Sequence, residues 1–208
     1  MTAGPPIATE LPNADPAEPT ASSDHKPLYL RAVDASRITP NVLTLIGFLG
    51  VCGAAALVLD RRWIPAAAVL VVFGLVDSLD GALARYQGTE SEFGAFWDST
   101  LDRLGEGVIL GAIGVVMALD GRAWIVAACF GALTGSFLVS YTRARAEGLG
   151  IEGIKGGLMG RPERLVLLGA GLFLGTVGDV LPAIIVILAV LSLMTAGHRV
   201  WMVYEAMR

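Results

Sequence analysis

Residues 77–85 read DSLDGALAR and residues 94–103 read GAFWDSTLDR. Each block adjoins an apolar stretch with no Asp, Glu, Lys or Arg, residues 63–76 before the first and 107–119 after the second. Neither stretch alone supplies the ~20 residues that cross a ~30 Å hydrocarbon core as a helix. Each reaches that length only by taking in its acids, which predicts two membrane helices with carboxylates at the same end. Three other stretches are free of charged residues over a membrane thickness: 38–59 (22 residues), 123–142 (20 residues) and 180–197 (18 residues). A sixth, 165–178, is long enough only with the charged residues 161–164 at its start. The chain therefore reads as an all-α integral membrane protein with six transmembrane helices, near 38–59, 63–86, 94–118, 123–146, 161–178 and 180–204.

The composition agrees. Charged residues make up 16% of the 208, against roughly 25% in a soluble domain. The net charge of −4 is uneven, because residues 1–25 hold four acids (Glu10, Asp15, Glu18, Asp24) and no Lys or Arg. The remainder is formally neutral, which excludes a basic nucleic-acid binder. Residues 1–25 are rich in Pro, Ala, Ser and Thr without apolar periodicity, so a disordered tail is expected there, ahead of one membrane domain over 26–208. Residues 26–37 (KPLYLRAVDASR) suggest a short amphipathic helix at the membrane surface, with Leu28, Leu30 and Val33 on its apolar side. Cys52 and Cys129 read as buried small apolar residues, and His25 and His198 as surface or interface residues.

With both termini in the cytoplasm, twelve basic residues fall on the cytoplasmic side and three (Arg61, Arg62, Arg122) on the outer side, a strong positive-inside bias. All the charged helix ends then face the cytoplasm. Residues three and four apart share a helix face, so Asp77 projects with Asp80, and Asp98 with Asp102. On adjoining antiparallel helices the four carboxylates can meet in one pocket at the membrane edge. A solvated helix boundary would account for one such pair. Two pairs in matched register are costly near a low-dielectric membrane unless neutralised. Oxygen-only donors suit hard cations, Mg²⁺ or Mn²⁺, and two ions could clamp a pyrophosphate. Arg85 supplies a fork suited to phosphate.

The stretch 77–102, D-x₂-D-G-x₂-A-R-x₈-G-x₃-D-x₃-D, resembles the signature of the CDP-alcohol phosphotransferases, and the likeness extends over about 38–204. It implies six transmembrane helices, a homodimer, and transfer of a substituted phosphoryl group from a CDP-alcohol, such as CDP-diacylglycerol, to a second alcohol with release of CMP. It implies that Asp77, Asp80, Asp98 and Asp102 hold two metal ions, with Asp102 also the general base. Gly81, Arg85 and Ser91 would contact the cytidine diphosphate, beside a Pro-Asn element formed by Pro40, Asn41, Val42 and Leu43.

A second charged patch, SYTRARAE at 140–147 followed by Lys155 and RPER at 161–164, allows two readings: local ion pairs with Glu147, Glu152 and Glu163, or an anion pocket. It is similar to the phosphatidylinositol phosphate synthase branch, which implies inositol 1-phosphate (1D-myo-inositol 3-phosphate) as acceptor and Arg143, Arg145, Arg161 and Arg164 as its phosphate contacts. Six glycines between 148 and 160 predict an unusually flexible connection, a departure from that branch. Glycerol 3-phosphate would also need a basic pocket, whereas serine would not. From a different class, the acids could line a divalent-cation transport path. Such a path needs polar residues continuing to the outer face, and 63–76 and 107–119 contain none that ionise.

Overall fold

Prolines and glycines mark where the helices begin and end. The computed structural model describes residues 38–154 and 156–208; the expected tail, the expected amphipathic helix at 26–37 and Lys155 lie outside them. Among the described residues there are six helices and no strand: α1 (Pro40–Leu59), α2 (Trp63–Gln87), α3 (Glu92–Leu119), α4 (Ala123–Glu147), α5 (Arg161–Phe173) and α6 (Val180–Ala206). Pro40 opens α1 and Pro162 opens α5, where a missing N–H leaves no bond unmade. Gly88 closes α2 in the left-handed conformation, φ 65°, and Ser91 caps α3 by accepting the Gly94 N–H at 3.0 Å. The α2–α3 connection is thus four residues, 88–91.

Helices α1, α2, α4 and α6 are long and apolar enough to cross a membrane. Helix α5 departs from the expected span 161–178. It has 13 residues, about 20 Å at ~1.5 Å per residue. The chain turns after Phe173 because Gly175 lies against the Trp63 ring and Gly178 takes φ 45°.

Each helix packs against two others, and the pairings close a ring in the order α1, α2, α5, α6, α4, α3 and back to α1. Between membrane helices there is little hydrophobic drive, so close backbone approach at small residues must supply the attraction. A Cβ at Gly50 of α1 would overlap the Phe73 ring of α2, and one at Gly74 of α2 would overlap Leu165 of α5. One at Gly135 of α4 would sit 2.7 Å from Ser192 Cβ of α6. Helices α2 and α3, expected to be direct neighbours, do not touch. Both flank α1, which leaves a gap between them at the acidic end.

At the opposite end the loops are tied by ion pairs. Arg61 binds Asp120 through two hydrogen bonds of 2.6 and 3.0 Å, holding that carboxyl below its usual range, and Arg122 pairs with Asp179. The described residues of the glycine-rich connection 148–160 dock on α6. Ile154 and Met159 are buried, the Met159 N–H donates to Thr195 Oγ1 at 3.1 Å, and Arg199 Nε donates to the Gly156 carbonyl at 3.0 Å. A Cβ at Gly157 (φ 120°) would overlap Thr195, so this glycine serves close docking on α6. Gly50→Ala should destabilise the protein by about 1–3 kcal/mol through overpacking, read as a lower thermal unfolding midpoint in detergent. Phe73→Ala in the same chain should recover part of it.

Candidate active site

Asp77 stands in the C-terminal half of α2, where Gly47 of α1 makes room for it; a Cβ at Gly47 would lie 2.9 Å from Asp77 Cβ. Asp98 and Asp102 stand one turn apart on α3. Asp77, Asp98 and Asp102 each offer an oxygen within 4.8 Å of one another. Asp98 Oδ1 is buried without a hydrogen-bond partner. Three converging carboxylates with an unsatisfied buried oxygen and no sulfur or nitrogen donor suit a divalent cation. Asp80, expected in the same group, is buried but turned aside. Its Oδ2 accepts a 2.6 Å hydrogen bond from the Thr44 hydroxyl and its Oδ1 accepts the Gly81 N–H.

Asp80 and Asp98 also line an adjoining cavity of about 410 Å³, with Pro40, Asn41, Gly81, Arg85, Ser91 and Gly94 among its walls. That volume lies within the range of small-molecule sites. Gly94 is needed here: a Cβ would lie 3.0 Å from Ser91 Oγ and 3.3 Å from Asn41 Oδ1. Val42 and Leu43 are absent from its walls. At ~100° per residue the first turn of α1 presents residues 40, 41 and 44 to the cavity, while Leu43 enters the core and Val42 is exposed.

The four candidate arginines divide. Arg161, at the start of α5, reaches across the ring to ion-pair with both Asp77 and Asp102. Arg164, one turn on, is 5% exposed and gives Glu106 Oε1 two hydrogen bonds, 3.0 Å from Nε and 2.8 Å from Nη2. Arg143 pairs instead with Glu147 on its own helix at 2.8 Å, half exposed, and Arg145 is exposed. Arg143 thus makes a local ion pair within its own helix, whereas Arg161, its side chain 39% exposed, pairs with acids of two other helices.

Residues 37–207 match the CDP-alcohol phosphatidyltransferase family. The chain belongs to that family. It is 36% identical to a phosphatidylinositol phosphate synthase of Mycobacterium marinum over 81% of this chain and 75% of that one. It is 37% identical to an archaetidylinositol phosphate synthase of Methanothermobacter thermautotrophicus over 88% of this chain and 94% of that one. Among solved structures, the phosphatidylinositol phosphate synthase of Mycobacterium tuberculosis with CDP-DAG bound superposes with a TM-score of 0.77 at 32% identity, covering 85% of this chain and 92% of that one. The same enzyme in complex with manganese and citrate gives a TM-score of 0.78 at 32% identity, over 85% and 87%. As a CDP-alcohol phosphatidyltransferase the chain is an integral membrane transferase with a divalent-metal site.

Thr44 and Glu106 of this phosphatidyltransferase, and the buried Arg199 away from the acids, escaped the sequence reading. Thr44 is the only hydroxyl residue of α1, three positions after Asn41 and three before Gly47, so helical spacing alone marks the shared face. Glu106 continues the four-residue register of Asp98 and Asp102. Arg199, counted only toward topology, is buried, and its Nη1 donates to the Val139 carbonyl at 2.7 Å; no local pattern distinguishes it. Asp98→Asn should weaken Mn²⁺ binding by about 10- to 100-fold or more, the scale set even by residues behind metal ligands. Electron paramagnetic resonance of free Mn²⁺ measures this, with Glu205→Gln, at the exposed end of α6, expected to match wild type.

Proposed function

We propose that this phosphatidyltransferase moves the phosphatidyl group of CDP-diacylglycerol to a hydroxyl of inositol 1-phosphate (1D-myo-inositol 3-phosphate), releasing CMP and forming phosphatidylinositol phosphate. The observation that carries it is the juxtaposition of the acidic cluster, the 410 Å³ cavity beside it and the Arg161 guanidinium reaching in from α5. The mycobacterial and archaeal relatives have names that differ in the lipid and share inositol phosphate, which supports the acceptor.

In this proposal Asp77, Asp80, Asp98 and Asp102 hold two Mg²⁺ ions, Asp80 after rotating from Thr44. Bound there, the ions neutralise the pyrophosphate and the leaving phosphate oxygen. Pro40, Asn41, Gly81, Arg85 and Ser91, which line the cavity, hold the cytidine diphosphate. Arg161 and Arg164 face the acceptor phosphate, with Arg143 and Arg145 at the entrance. Asp102 takes the proton of the acceptor hydroxyl. That oxygen bonds to the phosphorus bearing the diacylglycerol, and the bond from this phosphorus to CMP breaks. Positioning and charge compensation carry such a displacement without a covalent enzyme intermediate.

The setting proposed with it is a domain of six membrane-crossing helices over 26–208. An interfacial helix at 26–37 and a disordered tail at 1–25 precede them. Both termini and the site face the cytoplasm, at the depth where a lipid donor presents its head group, and the protein is a homodimer. Purified protein with CDP-diacylglycerol and Mg²⁺ should release CMP with inositol 1-phosphate and much less with glycerol 3-phosphate or serine. Release with serine alone would refute the acceptor. Asp102→Asn should abolish release while leaving CDP-diacylglycerol binding intact; wild-type turnover by this variant would refute the base.

A further inference from the structure

Beneath the acidic cluster, inside the ring, lies a buried charged group of which the reaction as described uses only Asp102, Arg161 and Arg164. Its centre is Glu106 on α3. Glu106 Oε1 accepts Arg164 Nε and Nη2 from α5, and Oε2 accepts the Ser136 hydroxyl from α4. Oε2 also lies 3.5 Å from Arg103 Nε. Arg103 in turn donates Nη1 to the Ser140 hydroxyl of α4, and its Nη2 reaches Asp102 Oδ2 at 3.4 Å. The other oxygen of Asp102 faces Arg161. Asp102 therefore sits between two guanidiniums. Arg161 enters from another helix, and Arg103 is ion-paired with Glu106 one turn below, its buried Nε making no hydrogen bond.

Asp102, Glu106, Ser136, Arg161 and Arg164 line a central cavity of about 70 Å³ to which all six helices contribute, with Phe48, Phe73 and Leu165 among its apolar walls. Charges cannot drift in such a place, since each displaced hydrogen bond would go unreplaced. Arg103 is a neighbour of Asp102 in the chain, so helix geometry alone leaves its long side chain many rotamers. The Glu106 carboxylate and the Ser140 hydroxyl select the one that reaches Asp102.

We propose that Glu106 is a positioning residue for phosphatidyl transfer: it fixes the Arg103 guanidinium against Asp102 Oδ2, so that the opposite oxygen stays turned toward the reacting centre. This rests on the proposed role of Asp102 as the base. Glu106 touches no substrate; it acts through Arg103, and its bonds to Arg164 and Ser136 lock the carboxylate in place across three helices.

The test is steady-state CMP release from CDP-diacylglycerol and inositol 1-phosphate in detergent, with Mn²⁺ affinity and thermal midpoint measured on each variant. Glu106→Gln is expected to lower kcat by about 10²-fold, the scale of a small misplacement of a reacting group, with KM for the donor and Mn²⁺ affinity unchanged. Because it also leaves Arg164 buried without its anion, the double variant Glu106→Gln with Arg164→Met removes both charges and recovers the thermal midpoint. Its kcat should fall about 10²-fold below that of Arg164→Met alone, whereas a kcat equal to that of Arg164→Met alone would show a structural role and overturn the proposal. Arg103→Gln should lower kcat to a similar degree, and combining it with Glu106→Gln should add little further loss, as for residues acting in series. Independent, multiplying losses would overturn action through Arg103. Absence of CMP release by the wild-type protein would instead refute the transferase reaction with this acceptor, a result distinguishable from either.

Discussion

The structure turns on the electrostatic cost of gathering carboxylates at one end of a bundle of apolar helices. Asp77, Asp98, Asp102 and Glu106 lie within about two helical turns, and three guanidiniums, Arg103, Arg161 and Arg164, are drawn against them. In a medium of low dielectric neither set would be tolerated alone. The compensation is incomplete, because Asp98 keeps a buried oxygen without a partner. A divalent cation is the kind of group that would satisfy such an oxygen, and the mycobacterial relative forms a complex with manganese.

The ring of helices makes the gathering possible. Were α2 and α3 packed directly together, their acids would be pressed into contact with no room for a ligand. Placing α1 against both separates them and leaves a gap between the motif helices, which Arg161 enters from α5. Glycines at the ring contacts let α1 approach α2, and α2 approach α5, closely enough for that arginine to reach across. The same small residues that supply packing between membrane helices thus set the width of the site. Thr44 and Gly47 on α1 complete the arrangement, one by holding Asp80 at the wall of the 410 Å³ cavity and the other by admitting Asp77.

Much of this was legible beforehand. The charge-free runs gave the positions of the helices to within a few residues, except that α5 stops at Phe173. The four-residue spacing of Asp98 and Asp102 placed them on one face, and the block 77–102 carried the family. The arginines were harder. Arg143, Arg145, Arg161 and Arg164 look alike in the chain, yet Arg161 joins the acids, Arg164 is buried on Glu106, and Arg143 is spent on Glu147 in its own helix. Their sorting depends on which helix faces which, and periodicity within one helix carries no such information. The glycines of 148–160 misled for a related reason. Composition suggests freedom, whereas docking against Thr195 and Arg199 of α6, residues some forty positions away, holds the segment down.

By itself the sequence determined the membrane-spanning character, the helix positions and the acidic motif. These follow from the length of apolar runs and from the fixed angle between residues on one helix, both local quantities. Only the tertiary structure decided the order of the ring, the departure of Asp80 from the other three acids, and the assignment of Arg161, Arg164 and Glu106. Each of those depends on contacts between helices distant in the chain, set by where side chains of one helix find glycine or an opposite charge on another.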